Sequence, residues 1–124
     1  MFAVRLFTGK AEAKVGAQIA LTHRLYVSRW WLNSRLHMLV RGRHRYKDCV
    51  VAIGYLDDVP ITVATIEKTM MAFCRKAHRG NGYGKLTVKA AIKASPIVPV
   101  GERGIKGSFK FWQKAKIKTI GKPA

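Results

Sequence analysis

Carboxylates are scarce in this chain: 6 Asp and Glu stand against 24 Lys and Arg in 124 residues, a formal net charge of +18. So one-sided a balance argues that something anionic matters to the protein, nucleic acid first, then anionic metabolites, acidic proteins and membrane surfaces. Surface solubility is the plainer alternative. Cysteine is scarcer still. Cys49 and Cys74 both sit in apolar runs, Asp48-Cys49-Val50-Val51 and Ala72-Phe73-Cys74, the habit of reduced thiols inside strands and not of a disulfide framework. Reduced thiols make the cytoplasm the expected compartment. His23, His37, His44 and His78 show no metal-ligand spacing such as H-E-x-x-H, so no metal is expected. No window approaches about 18 uncharged apolar residues, and Met1 to Phe7 lacks the apolar core and cleavage site of a secretion signal. Neither a membrane span nor secretion is expected. Repeats and Pro/Ser-rich linkers are missing too, and the basic residues spread over the whole length instead of forming a tail. A single domain over residues 1–124 follows, with 48% hydrophobic residues from which to build a core.

What is present reads as alternating elements. Phe2 to Thr8 has strand composition, with Gly9-Lys10 as its exit. From about Ala11 to Ser28, Ile19, His23, Tyr26 and Trp30 recur at helical spacing, and Leu21, Leu25 and Leu32 widen that apolar face. A second helical stretch, Trp31 to Val40, is interrupted by Arg41-Gly42-Arg43. Asp48 to Leu56 and Ile61 to Ile66 are β-branched runs around the turn-like Asp57-Asp58-Val59-Pro60, a hairpin signal. Thr69 to Arg75 predicts another strand, and Lys85 to Ala94 a helix that ends before Ser95-Pro96. Ile97 to Val100 predicts a short strand that Pro99 confines to an edge. Gly107-Ser108 opens a last helix with Phe109, Phe111, Trp112 and Ala115 on its apolar face, and Ile117 to Ile120 is one more strand. The order β-α-α-β-β-β-α-β-α defines an α/β fold.

The segment that carries chemistry is Arg79-Gly80-Asn81-Gly82-Tyr83-Gly84-Lys85, between a strand and a helix. Alternating glycines let the backbone approach a ligand closely, and amides at a helix N-terminus point at anions with the helix dipole behind them. Arg79 and Lys85 add charge-assisted contacts to the same phosphates. A dinucleotide fingerprint is excluded, because Gly80-x-Gly82-x-Gly84 is not G-x-G-x-x-G. A Walker-type loop lacks its Lys-Ser/Thr end. A pyrophosphate-bearing cofactor is the expected ligand.

Arg79-Gly80-Asn81-Gly82-Tyr83-Gly84 resembles the Arg/Gln-x-x-Gly-x-Gly/Ala signature of the GCN5-related N-acetyltransferases (GNAT) at every fixed position. Phe111-Trp112-Gln113-Lys114-Ala115-Lys116-Ile117 is similar to that family's Phe-Tyr-Glu-Lys-Leu-Gly-Phe segment, and the hairpin from Asp48 to Glu67 resembles its second and third strands. The resemblance covers about Asp48 to Ile117 and implies a mixed central sheet flanked by helices, with acetyl-CoA or another acyl-CoA as cofactor. It implies that the loop amides of Arg79, Gly80, Asn81, Gly82, Tyr83, Gly84 and Lys85 hold the cofactor's pyrophosphate. It further implies that Phe73, Cys74 and Arg75 supply a splayed strand edge for the pantetheine arm, and that an amine of a protein or small molecule accepts the acyl group.

Three departures from the family pattern bear on mechanism. Trp112 stands where many members carry the tyrosine that protonates the leaving thiolate, and an indole N–H is a poor acid for that step. Members finish with two further strands where Ile117 to Ile120 alone remain, so a truncated C-terminal end is expected, which dimerisation would complete. For the base, the family uses an acidic residue on the central strands; Glu67 is the nearest, although its spacing reads more simply as an exposed turn residue. The basic composition suggests an acidic or anionic acceptor, such as an acidic or nucleic-acid-associated protein or a metabolite. The alternative is a basic nucleic-acid- or protein-binding module on a degenerate GNAT fold, without catalysis. Trp30-Trp31 with Arg29 and Arg35 would suit stacking on bases or an acyl chain, but paired tryptophans on a helix are more often core and rim.

Overall fold

The computed structural model describes residues 1–26, 31–42, 47–97, 100–102 and 119–120. In chain order these form β1 (Phe2–Thr8), α1 (Gly9–Thr22), α2 (Trp31–Arg41), β2 (Val50–Leu56), β3 (Val59–Ile66), β4 (Thr69–Cys74), a 3₁₀ turn (Lys76–His78), α3 (Tyr83–Ala94), β5 (Val100–Glu102) and β6 (Thr119–Ile120). Strands lie in sequence order across one sheet, antiparallel from β1 to β4 and parallel from β4 to β6. This is the expected α/β class with a mixed sheet. The expected helix around Phe109 to Ala115, with Trp112, lies outside the described residues.

Side chains alternate across the sheet and fill two cores. Phe7, Cys49, Val51, Ile53, Val63 and Met71 pack under α1 and α2 with Ala13, Ala17, Ala20, Leu36 and Leu39. Val50, Ala52, Ala64, Ile66 and Met70 pack under Val88 and Ala91 of α3. The result is a three-layer sandwich in which β2, β3 and the first half of β4 are covered on both faces, which explains their unbroken apolar runs. α1 comes close to the sheet because it presents alanine and glycine: a Cβ built on Gly16 would lie 2.9 Å from both the Phe7 ring and Val51 Cγ1.

The boundaries differ from expectation where turn chemistry intervenes. α1 stops at Thr22 because the chain closes a Schellman motif: Arg24 turns left-handed (φ 53), its amide donates to Leu21 O, and the Leu25 amide donates to Ala20 O. Leu25 then folds back into the core, so the apolar pattern outlasts the helix. Asp57 and Asp58 (φ 49 and 69) alone make the β2–β3 turn, a two-residue type I′ geometry. Val59 and Pro60 belong to β3, and Pro60 is accommodated next to the register shift at Gly54/Tyr55. At the expected Ile97–Val100 strand, Ser95 and Ile97 form a turn and β5 starts at Val100, while Val98 and Pro99 lie outside the described residues.

Because the Phe7 ring and Val51 beside Gly16 are buried and cannot swing away, Gly16→Val should lower the unfolding free energy by about 1–3 kcal/mol through overpacking. Urea titration of both proteins measures this.

Candidate functional site

The site is organised by which edge of β4 is in use. β4 pairs with β3 from Thr62↔Cys74 to Ile66↔Met70, and the Glu67 amide donates to Thr69 O while the Arg75 amide donates to Ile61 O. In an antiparallel ladder hydrogen-bonded pairs alternate with non-bonded ones, so these two end bonds fix the phase. Residues 69, 71, 73 and 75 direct their backbone N–H and C=O groups at β3, and residues 70, 72 and 74 direct theirs at β5. The β5 ladder, however, covers only Thr69↔Val100 and Met70↔Gly101. Among the described residues, the backbone groups of Ala72 and Cys74 on that side have no strand partner: the described β4–β5 ladder ends at Met70↔Gly101.

This edge leads into the loop. After β4 the chain makes a 3₁₀ turn and reaches Gly80 and Gly82, both left-handed (φ 89 and 79). A Cβ at either glycine would meet nothing within 4 Å, so the backbone there borders open space. α3 starts at Tyr83 without a side-chain cap, and its first intrahelical bond is Leu86 N to Gly82 O at 3.0 Å. Among the described residues, the amides of Gly80 through Lys85 donate to no acceptor. Such a run of unpartnered donors at a helix N-terminus, preceded by alternating left-handed residues, has the geometry of an anion cradle.

Side chains clamp the cradle from three directions. Arg79 folds back so that Nε donates to Cys74 O (2.9 Å), with its guanidinium over the Phe73 ring at 5.6 Å from the centroid. Arg75 reaches across to donate to His23 O (2.7 Å), tying the end of β4 to the end of α1. Asn81 Nδ2 donates to His78 O within the turn. On the far side, Tyr83 stacks on Phe2 with ring centroids 4.5 Å apart, and Thr87 shares a buried 2.6 Å hydrogen bond with Thr62. α3 is thereby fixed to both β1 and β3.

At the other end of β4 lies a buried polar cluster. Arg35 of α2 donates to Thr69 O and Thr69 Oγ1, both at 2.8 Å, and its Nε stands 3.5 Å from Glu67 Oε1. Glu67 occupies the β3–β4 turn, but it is only 3% exposed. That corrects the reading of an exposed turn residue: Arg35 compensates the carboxylate from above. Glu67 Oε1 and the neighbouring Thr65 Oγ1 are buried with no hydrogen-bond partner among the described residues. Burial pushes the Glu67 carboxyl above its ordinary range, against the opposing pull of Arg35. Burial likewise raises the Cys74 thiol against the pull of Arg79, and the Cys49 thiol, so both stay protonated at neutral pH.

The structure therefore brings together most of the expected cofactor residues and redistributes some. Gly80, Asn81, Gly82, Tyr83, Gly84 and Lys85 share the cradle. Of the three residues expected on the strand edge, only Cys74 faces it. The Phe73 and Arg75 main chains are turned to β3, and Ala72 is the edge residue that composition did not single out. Arg35, read from the sequence only as a stacking partner beside Trp30-Trp31, instead reaches Thr69 and Glu67; its place beside the buried Leu36 and Leu39 on α2 marks a cation driven inward. Trp112 and Ser108 lie outside the described residues. Among the described residues no group of His, Cys, Asp or Glu could hold a metal ion, and no helix is long and apolar enough to cross a membrane.

No protein-family model matches the chain, and no curated protein matches it by sequence. Solved structures do. The ribosomal-protein-alanine N-acetyltransferase of Brucella melitensis biovar Abortus superposes with a TM-score of 0.56 at 12% identity, covering 100% of this chain and 96% of that one. yncA from Salmonella typhimurium, assigned as an acetyltransferase and solved with its cofactor acetyl-CoA, matches with a TM-score of 0.45 at 18% identity over 76% of this chain. The chain spans 62% of the length of that second structure. The fold is that of the GNAT acetyltransferases.

Burial gives Glu67 a testable signature. Its folded-state pKa lies above the ordinary 4.5, so between the two values the folded protein holds a proton that the unfolded chain has lost, and stability falls as pH rises through that window. Glu67→Gln removes this term, so the stability of the variant relative to wild type should increase as pH rises from 4.5 towards neutrality, measured by urea unfolding at stepped pH.

Proposed function

We propose that the protein is an acyl-CoA-dependent N-acyltransferase, with acetyl-CoA as its donor. The observation that carries this reading is the continuity of two features among the described residues: a β4 edge at Ala72 and the Cys74 amide without a strand partner, running directly into unpartnered amides from Gly80 to Lys85. One ligand matches both, a diphosphate joined to a linear chain of amides. The open space at Gly80 and Gly82 fits the same ligand.

Acetyl-CoA, when bound, supplies an activated acyl thioester to an attacking amine. The chain's own contribution is binding and positioning. Loop amides and Lys85 hold the diphosphate with charge-assisted hydrogen bonds. The N–H and C=O of Ala72 extend the antiparallel pattern to the amide-bearing arm, as an added strand would. Arg79 occupies Cys74 O, so Ala72 and the Cys74 amide carry most of that edge. Met70, where the β5 ladder resumes, sets the inner end of the opening.

Glu67 is the proposed general base. It follows Ile66, the cross-strand partner of Met70, and so lies about 3.4 Å along the strand direction from the level of Met70 on the neighbouring strand; its carboxylate is buried, so the amine proton reaches it through water. The orphaned Thr65 Oγ1 and Glu67 Oε1 provide polar partners for such a water. The excess of positive charge favours an acidic or anionic acceptor, presenting its amine on a protein or a small molecule.

Acetyl-CoA should raise the melting temperature by mass action, corresponding to roughly 2.7 kcal/mol at about a hundredfold excess over Kd. Gly82→Asp, which places a carboxylate in the cradle and a Cβ at a left-handed position, should abolish the rise. No shift with millimolar acetyl-CoA would contradict the reading. A second variant tests the edge: Ala72→Pro removes an N–H that β3 does not use, so it should leave the fold in place and weaken acetyl-CoA by about tenfold, the worth of one hydrogen bond. Calorimetric titration reads the affinity and circular dichroism the fold.

A further inference from the structure

We infer that the outer face of α3 is a docking surface for a nucleic-acid phosphodiester backbone that extends beyond the acyl-CoA cradle, with which it shares only Lys85. Lys85, Lys89 and Lys93 are all exposed and recur every four residues, opposite the buried Thr87, Val88 and Ala91. At a rise of 1.5 Å per residue, neighbouring lysines stand about 6 Å apart along the axis, in a row that turns only slowly around the helix. That spacing suits successive phosphates on one strand.

The row is hard to explain as solvation. Like charges four residues apart destabilise a helix, and α3 contains two such pairs with no acidic residue between them. Lys85 also sits in the first turn, where a cation opposes the helix dipole. A merely soluble face would alternate signs, as the Glu12 and Lys14 of α1 do. Both ion pairs among the described residues lie elsewhere, at Met1–Asp57 and Arg35–Glu67. From Lys68 to Gly101 the chain carries no carboxylate at all, while Arg75, Lys76 and Arg79 extend the positive field towards the loop.

Length separates this surface from the cofactor site. Lys89 and Lys93 lie about 6 and 12 Å beyond Lys85 along the helix, away from the cradle, so the diphosphate that occupies the loop does not neutralise them. A polyanion with regularly repeated charge does. Lysines act as flexible point charges, and the stripe includes no Asn, Gln or Arg to read base edges, so recognition is of the backbone and independent of sequence.

The test is fluorescence anisotropy with a labelled single-stranded RNA and a labelled DNA duplex, titrated at several salt concentrations, on wild type, Lys89→Gln/Lys93→Gln and Lys10→Gln/Lys14→Gln. The α3 variant should bind more weakly to at least one nucleic acid, with the slope of log K against log salt reduced by roughly 1.4 to 1.8 for two lost phosphate contacts. The α1 variant should retain the wild-type slope. Equal losses in both variants would overturn the inference in favour of net charge alone. An unchanged α3 variant would overturn it too, as would competition by poly-L-glutamate as strong as that by RNA of equal charge. Acetyl-CoA titration of the same α3 variant should be unaltered, which keeps this result independent of the proposed enzymatic function.

Discussion

Everything at the site depends on β4 being held along one edge and open along the other. The phase of the β3 ladder decides which backbone groups are occupied: those of residues 69, 71, 73 and 75 are turned inward, and those of residues 72 and 74 have no strand partner among the described residues. A strand with an open edge inside a sheet is exposed to collapse or slippage, and this one is fixed at both ends by arginine. Arg35 fastens Thr69 at the start, while Arg75 and Arg79 fasten the exit to α1 and to Cys74 O. The four bonds cross element boundaries, so the open edge is held by the tertiary structure and not by the strand alone.

The same economy of contacts prepares the cradle. An uncapped helix with a run of unbonded amides would fray if nothing else held it. Here the first turn of α3 is anchored by the Phe2–Tyr83 stack and by Thr87, whose hydroxyl contacts both Tyr83 O and Thr62 Oγ1. Val88 and Ala91 then bury the helix against the sheet. Donors can remain unpaired because the residues behind them are well packed, which is the arrangement that preorganised anion sites require.

Much of this was legible in the sequence because it rests on local rules. The β2 to β4 runs, the glycine loop and the helix after it follow from β-branched composition, turn residues and helical spacing. Their observed limits lie within a few residues of expectation. What stayed hidden was set by partners distant in sequence. Leu25 reads as helix because it is apolar, yet a Schellman turn stops α1 before it. Glu67 reads as an exposed turn residue because Lys68 and Thr69 follow it. Only the arrival of Arg35 from α2, some thirty residues earlier, makes its burial tolerable. Ala72 carries no compositional mark of function, since the role proposed for it comes from the phase of a ladder and from where the described β5 pairing ends.

The central claim is that the Ala72–Cys74 edge and the Gly80–Lys85 amides form one continuous binding surface. Amide chemical-shift mapping during a titration with acetyl-CoA tests it most directly, because it observes these backbone groups individually. The account predicts that the largest perturbations fall on Ala72, Cys74, Gly80, Gly82, Gly84 and Lys85 together, with the amides of Phe73 and Arg75, bonded to β3, moving less. Perturbations confined to the loop with a silent β4 edge, or centred on α1, would contradict it.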